Sequence, residues 1–222
     1  MVLVNRLLSS FLRLFFYLLY NPFAWTYDWV AALVSLGHWQ EWILGVLPYI
    51  PGKHVLELGH GPGHLQFALH QKGFQVVGLD LSRTMGKIAQ RRLAGDYPSP
   101  PLIRGAAQNL PFPTAAFDQV VSTFPSEYLF QQNTLAEIHR VLAPSGLLIV
   151  LPVAWIHRGS RMERALAWLF EITNQAPPPG DEQWRLRLIA VFQKSGFDVR
   201  TETIAMPSSK FFLVLASKLK LL

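Results

Sequence analysis

The stretch His54-Val55-Leu56-Glu57-Leu58-Gly59-His60-Gly61-Pro62-Gly63-His64 reads as a strand, a turn and the start of a helix. Val55, Leu56 and Leu58 form an apolar run with no breaker, which predicts a strand over 54–58. Glycines then stand at alternate positions, and Leu65, Phe67, Ala68 and Leu69 open a helical pattern. Strand, glycine turn and helix is the layout of a nucleotide-binding loop. Without a Cβ at these points, backbone N–H groups can approach a ligand closely. A second apolar run, Gln75 to Leu79, ends on Asp80. A carboxylate about 20 residues beyond the first glycine can accept hydrogen bonds from a ribose diol. Together the two elements predict an adenosine-containing ligand.

Spacing narrows the choice. A dinucleotide fingerprint, G-x-G-x-x-G, would need its third glycine at position 64, which is His64. The pattern present is Glu57-x-Gly59-x-Gly61-x-Gly63. It resembles motif I of the class I S-adenosylmethionine (SAM)-dependent methyltransferases. The alternative is a structural turn in some other α/β protein.

Three later stretches follow the same family in order. Gly105-Ala106-Ala107-Gln108-Asn109-Leu110-Pro111-Phe112 resembles its Gly-Asp-Ala-Glu-x-Leu-Pro-Phe segment, with Ala106 and Gln108 replacing the acids. Phe117-Asp118-Gln119-Val120-Val121-Ser122 matches Phe-Asp-x-Val-Val-Ser, and Leu142-Ala143-Pro144-Ser145-Gly146 resembles a Leu-x-Pro-Gly-Gly turn. The resemblance covers about residues 50–152 and implies a doubly wound, seven-stranded Rossmann-like sheet with one antiparallel strand. Phe197 to Ala205 and Phe211 to Ser217 fit its closing strand pair.

It also implies SAM as cofactor and a set of contacts. Glu57 would orient the methionine end, and Gly59, His60, Gly61 and Gly63 would form the loop around it. Asp80 would hold the ribose, and Leu81 and Met85 would flank the adenine. Ala106 cannot accept the adenine amino group as the usual acid does, so Ala107 and Gln108 are the substitutes. Thr123 and Phe124 would meet the methionine end. No general base is identified; Tyr27, His38, Tyr128, Trp155 and His157 are the acceptor-pocket candidates.

Composition bounds the rest. The 222 residues are 50% hydrophobic and 15% charged, apolar for one α/β domain. Cysteine is absent, which excludes disulfides, thiolate metal sites and cysteine nucleophiles. His60 and His64 have i, i+4 spacing, but Gly61-Pro62-Gly63 forbids the helix that would pair them, so no metal is expected. The net charge of +6 carries no Lys/Arg run with interleaved aromatics, so nucleic acid is not expected either. The basic excess lies mainly after residue 152 and would favour an anionic membrane by about 1 kcal/mol per well-placed cation.

The apolar surplus is concentrated before residue 51. Residues 1–50 read as apolar N-terminal helices, either a lid or a membrane-interface element. Arg6, Ser9, Ser10, Arg13, Tyr17 and Tyr20 form one polar stripe opposite Leu7, Leu8, Phe11, Leu14, Phe15, Leu18 and Leu19. That is the pattern of a helix lying in a membrane interface, with Arg13 arguing against a span or a signal peptide. A second helix is expected from Tyr27 to Val46. Tyr27-Asp28, Ser35-Leu36-Gly37 and Trp42 resemble the segment preceding motif I in quinone-biosynthesis C-methyltransferases, which implies a cover over the cofactor. Residues 51–222 are then the SAM-binding methyltransferase domain, with a helical insertion at 153–195 as part of the acceptor pocket.

The expected function is SAM-dependent methyl transfer to a hydrophobic, membrane-associated small molecule of the quinone or phospholipid class. The expected setting is cytoplasmic, with peripheral membrane contact through residues 1–20. A homo-oligomer is compatible with the apolar N-terminus. Rival readings are a soluble small-molecule methyltransferase with an N-terminal lid and a non-catalytic SAM-binding protein.

Overall fold

A computed structural model describes residues 23–97, 99–156, 177 and 180–219. The amphipathic stretch 1–20, His157, the apolar helix expected within 153–195 and the last three residues lie outside that set. The described chain builds a seven-stranded sheet, β1 (His54–Leu58), β2 (Gln75–Asp80), β3 (Leu102–Arg104), β4 (Phe117–Thr123), β5 (Leu142–Ile156), β6 (Phe197–Ala205) and β7 (Ser209–Lys218), in the order β3-β2-β1-β4-β5-β7-β6. All neighbours are parallel except β7, which runs antiparallel to both β5 and β6. This is the sheet that the motif order implies.

Side-chain alternation divides the core between the two faces. Leu56, Leu58, Val120, Leu148 and Val150 pack with α5 (Gln132–Val141) and α6 (Glu182–Gln193), through Leu135, Ile138, Val141, Leu188 and Phe192. Val55, Val121, Ile149 and Leu151 pack with α3 (His64–Gln71), through Leu65 and Leu69. Each such leucine removed from water contributes roughly 1.5–3 kcal/mol. α4 (Arg83–Leu93) starts where Ser82 accepts a hydrogen bond from the Met85 N–H at 3.2 Å, and Asp181 caps α6 by accepting from Trp184 N–H at 3.0 Å. Both caps follow from the residue type.

The helix expected over 27–46 is two helices, α1 (Tyr27–Ser35) and α2 (Trp39–Leu44). Leu36 at φ 52° and Gly37 at φ 87° occupy the left-handed region between them, which ends α1. The bend between α1 and the α2 segment is 91°. Among the described residues no single helix is long and apolar enough to cross a membrane. α2 is firmly seated: Trp42 and Ile43, with Val46 just beyond it, join the second core face, and the Trp42 indole N–H donates to Ser209 Oγ at 2.9 Å. α1 is held more lightly, burying only Ala31 and Ser35.

Candidate active site

In a doubly wound sheet the crevice opens where the strand order reverses, at the carboxyl ends of the strands. Here that point lies between β1 and β4, so Leu58-Gly59 and Thr123-Phe124 face the same opening. Gly59, Gly61 and Gly63 have φ values of 71°, 52° and 86°, a region that side-chain-bearing residues rarely adopt. At Gly59 a Cβ would also stand 2.7 Å from the Tyr128 hydroxyl, and at Gly63 it would stand 2.8 Å from Ala89 Cβ. Backbone conformation asks for glycine at all three positions, and space asks for it as well at Gly63; around Gly61 a Cβ would meet nothing within 4 Å.

Glu57 is the site's least comfortable residue. Alternation along β1 sends its side chain to the face of Val55, among mostly apolar groups. It is 2% exposed, and among the described residues Oε2 has no hydrogen-bond partner. Burial pushes its pKa up to about 8; the nearby Gln66 amide opposes the rise without completing a hydrogen bond, and Asp80 reinforces it. Gln66 is itself fully buried with both amide atoms unpartnered. Buried polar atoms without partners are rare in native proteins. A cationic group brought to Glu57 would relieve one of them, so the residues suit the amino-acid end of a SAM molecule.

Asp80 closes the turn on the other side. Its Oδ2 accepts from Gly61 N–H at 2.9 Å and its Oδ1 from Ser82 N–H at 2.7 Å. The carboxylate is thereby fixed at the end of β2 beside the loop. His60 is buried, and burial lowers its pKa, so the ring is neutral and Nδ1–H donates to the Gly61 carbonyl at 2.8 Å. It braces the turn from inside.

A cavity of about 30 Å³ lies between the turn and the N-terminal helices, lined by Tyr27, Trp39, Ile43, Glu57, Gly59, His60, Gly61, Pro62, His64, Leu65 and Thr123. Trp39 stacks on Phe124 with ring centres 4.3 Å apart and meets Tyr27 edge-on at 6.0 Å. Phe124 itself has φ 48°, strained backbone at the end of β4.

Beyond the cavity a polar tie joins α1 to the turn. His64 Nε2–H donates to Asp28 Oδ1 at 2.9 Å, and its Nδ1 accepts from Gln40 at 3.3 Å. Arg92 of α4 donates to Asp28 Oδ2 at 2.6 Å and to the Pro62 carbonyl. Burial depresses the His64 pKa despite the Asp28 hydrogen bond, which keeps the ring in the neutral form that this pattern uses.

Of the residues singled out in sequence, Glu57, Gly59, His60, Gly61, Thr123 and Tyr27 line the one cavity. Asp80, Gly63 and Phe124 adjoin it through the contacts above. Leu81 lies exposed just past β2, and Met85 is buried under α4. Ala107 is buried, while the Gln108 amide donates to Gln131 at 2.9 Å. The Tyr128 hydroxyl stands over Gly59. Two acceptor candidates are committed elsewhere. His38 bonds Glu41 at 3.0 Å and Ser208 at 3.0 Å. Trp155 donates to the Pro177 carbonyl at 2.8 Å and packs edge-on to Phe212. The sequence reading linked neither Trp39 nor Arg92 to the site; it had Asp28 only as part of the covering segment and His64 only as a residue of the loop. The i, i+4 pair Tyr27 and Ala31 and the break at Gly37 were the available signals that α1 folds back over the loop.

A family model described as a methyltransferase domain matches residues 55–146. The chain is 33% identical over 143 residues to a demethylmenaquinone methyltransferase of Symbiobacterium thermophilum, covering 60% of this chain and 57% of that one. It spans little more than half the length of such relatives. It is 30% identical over 165 residues to an uncharacterized methyltransferase of Synechocystis, covering 68% of this chain and 71% of the other. A crystal structure of a SAM-dependent methyltransferase from Thermotoga maritima superimposes with a TM-score of 0.62 at 20% identity, over 91% of this chain and 99% of the other.

Proposed function

This chain belongs to the class I SAM-dependent methyltransferases, and from that premise we propose that it transfers a methyl group to a hydrophobic small molecule of the quinone or phospholipid class at a membrane surface. The observation that carries the reading is Glu57, a buried carboxyl with an unpartnered oxygen at the floor of a glycine turn. Its nearest explanation is a cationic ligand group, and Asp80 stands on the opposite side of the turn to take a diol.

When bound, the donor supplies an electrophilic methyl on a sulfonium. The chain's contribution is alignment and exclusion of water, which can lower a barrier by several kcal/mol. Glu57 would hold the ammonium, the turn would give backbone N–H groups, and Asp80, already positioned by the Gly61 and Ser82 N–H groups, would accept from the ribose hydroxyls. Tyr27, Trp39 and Phe124 form an aromatic wall beside Thr123, which suits a flat or apolar acceptor. The likeness to demethylmenaquinone methyltransferases favours a quinone within that class.

The membrane part rests on the amphipathic stretch 1–20 and on the exposed apolar face of α1, where Trp29 is 79% and Leu33 is 69% exposed. A second reading, a soluble enzyme whose N-terminal helices serve only as a lid, is favoured by the tie from Asp28 to His64 and Arg92. The experiment is methyl transfer from labelled SAM to a demethylated naphthoquinol and to phosphatidylethanolamine, each in mixed micelles, with liposome flotation of the full chain. Labelled quinol and flotation support the proposal. Transfer without flotation favours the lid reading, and SAM binding without transfer to any acceptor favours a non-catalytic SAM-binding protein.

A further inference from the structure

Two polar atoms at the cavity lack partners, and they are of opposite kind. Glu57 Oε2, ionised when a cation approaches, accepts; the Trp39 indole Nε1–H donates. Both side chains line the same cavity of about 30 Å³. Trp39 is fixed in place by its stack on Phe124 and its edge contact with Tyr27, so its N–H is preorganised rather than free to swing into solvent. A buried indole N–H ordinarily finds an acceptor. Within the described residues this one has none.

An acceptor and a donor lining one small cavity suit a ligand bearing a cation and an anion on neighbouring atoms. An α-amino acid has this charge pattern: the ammonium and the carboxylate share one carbon. We propose that the Trp39 indole N–H binds the carboxylate of the donor's amino-acid end, opposite the ammonium that Glu57 takes. The inference rests on the SAM-binding reading above and deepens it by assigning the carboxylate to the N-terminal cover. Trp39 is then a binding residue contributed by α2, and α2 is anchored by Trp42 to Ser209, which gives the donor a fixed reference point outside the turn. It follows that the cover senses the amino-acid end, not the nucleoside.

Trp39→Phe keeps a ring for stacking and removes only the N–H. The test is calorimetric titration of the full chain, wild type and variant, with S-adenosylhomocysteine and with 5′-methylthioadenosine, which has the same nucleoside and sulfur but no amino-acid end. The variant is expected to bind S-adenosylhomocysteine about tenfold more weakly, which corresponds to about 1.4 kcal/mol. Methylthioadenosine affinity should stay within about twofold. Equal S-adenosylhomocysteine affinity in both proteins, or equal losses for both ligands, overturns the proposal. Failure of the wild type to bind either ligand overturns the SAM reading itself and the assignment with it. If the variant does not fold by circular dichroism, wild type is titrated with SAM and with decarboxylated SAM; equal affinity for the two overturns the carboxylate contact.

Discussion

Asp28 and Arg92 stand 64 positions apart and meet side chain to side chain at 2.6 Å, on the same side of the glycine turn where Arg92 also holds the Pro62 carbonyl. The pair links α1, α4 and the loop through three side chains, His64 being the third. Among the described residues α1 buries only Ala31 and Ser35, and its hinge at Leu36 and Gly37 already lies in the left-handed region. Segments with few buried contacts open at low cost. Asp28→Asn is therefore expected to accelerate S-adenosylhomocysteine dissociation several-fold while costing about 0.2–1 kcal/mol of stability, the range of a half-exposed pair. Stopped-flow fluorescence and amide exchange across 27–36 check this; unchanged exchange there would show that Asp28 does not hold the cover.

The same tie has a pH limit. Burial acts to raise the Asp28 pKa, but the hydrogen bond from His64 and the neighbouring Arg92 guanidinium outweigh it, so the net shift is downward. A depressed carboxyl contributes stability above its unfolded value and loses it as pH falls through the folded one. The Asp28 contribution to the cover is expected to be lost only below about pH 4, where carboxylates protonate. Amide exchange of α1 followed from pH 7 to pH 3.5, by a fluorescence-independent readout such as mass spectrometry, measures it.

Glu57 works in the opposite sense. Its folded pKa is raised to about 8, chiefly by burial, so the folded chain keeps a proton that the unfolded chain releases. Stability then falls as pH rises between about 4.5 and 8. Glu57→Gln mimics the protonated form. It should raise the Tm of the ligand-free protein at pH 8 by roughly 2–4 °C for each kcal/mol relieved, with no gain near pH 4. A cationic ligand group prefers the carboxylate, so S-adenosylhomocysteine affinity of the wild type should rise with pH up to about 8. The variant should lose that dependence along with most of its affinity. A pH-independent wild-type affinity would mean that Glu57 does not face the ligand's charge.

Much of this architecture was legible because its signals are local. The alternation of 54–58, the glycine turn and the run ending at Asp80 each depend on neighbours in sequence, and so do the caps at Ser82 and Asp181. The family motifs then ordered the strands. What escaped was carried by contacts between distant residues. Asp28 and Arg92 look like ordinary surface charges until the fold brings them together. Nothing in the sequence sets Trp39 apart from the other aromatics of the N-terminal segment, and only its stack on Phe124, a residue with strained backbone, and its place in the cavity lining show its role. The helix break at Leu36-Gly37 was written in Gly37, but the apolar run through it looked continuous.

Gly63 tests whether the turn is set by space or only by backbone freedom. Its φ is 86°, and a Cβ there would stand 2.8 Å from Ala89 Cβ and 3.1 Å from Ala89 Cα. Gly63→Ala therefore combines left-handed strain of about 1–2 kcal/mol with overpacking of about 1–3 kcal/mol. A second substitution, Ala89→Gly, removes the 2.8 Å contact but neither the 3.1 Å approach to Cα nor the strain. Chemical denaturation of both single variants and the double variant should show partial rescue in the double, beyond the sum of the single effects. Additive losses would indicate that α4 does not press on the turn.

Ser145 is the complementary case, where a side chain sits in a position suited to glycine. The turn before the long apolar part of β5 departs from the family pattern at this residue, and the structure gives it φ 63°. Its side chain is exposed, so nothing buried is lost with it. The neighbouring Gly146 shows the opposite constraint: a Cβ would meet the Ala143 carbonyl at 2.8 Å and Leu142 Cδ2 at 3.0 Å. Ser145→Gly is expected to stabilise the protein by up to about 1 kcal/mol, because left-handed strain of about 1–2 kcal/mol is relieved and is partly offset by the greater freedom of glycine in the unfolded chain. Gly146→Ser should destabilise it. Urea midpoints for the two variants, with unchanged slopes, decide the matter; a destabilised Ser145→Gly would mean that the Ser145 side chain supports the turn in a way its exposure does not suggest.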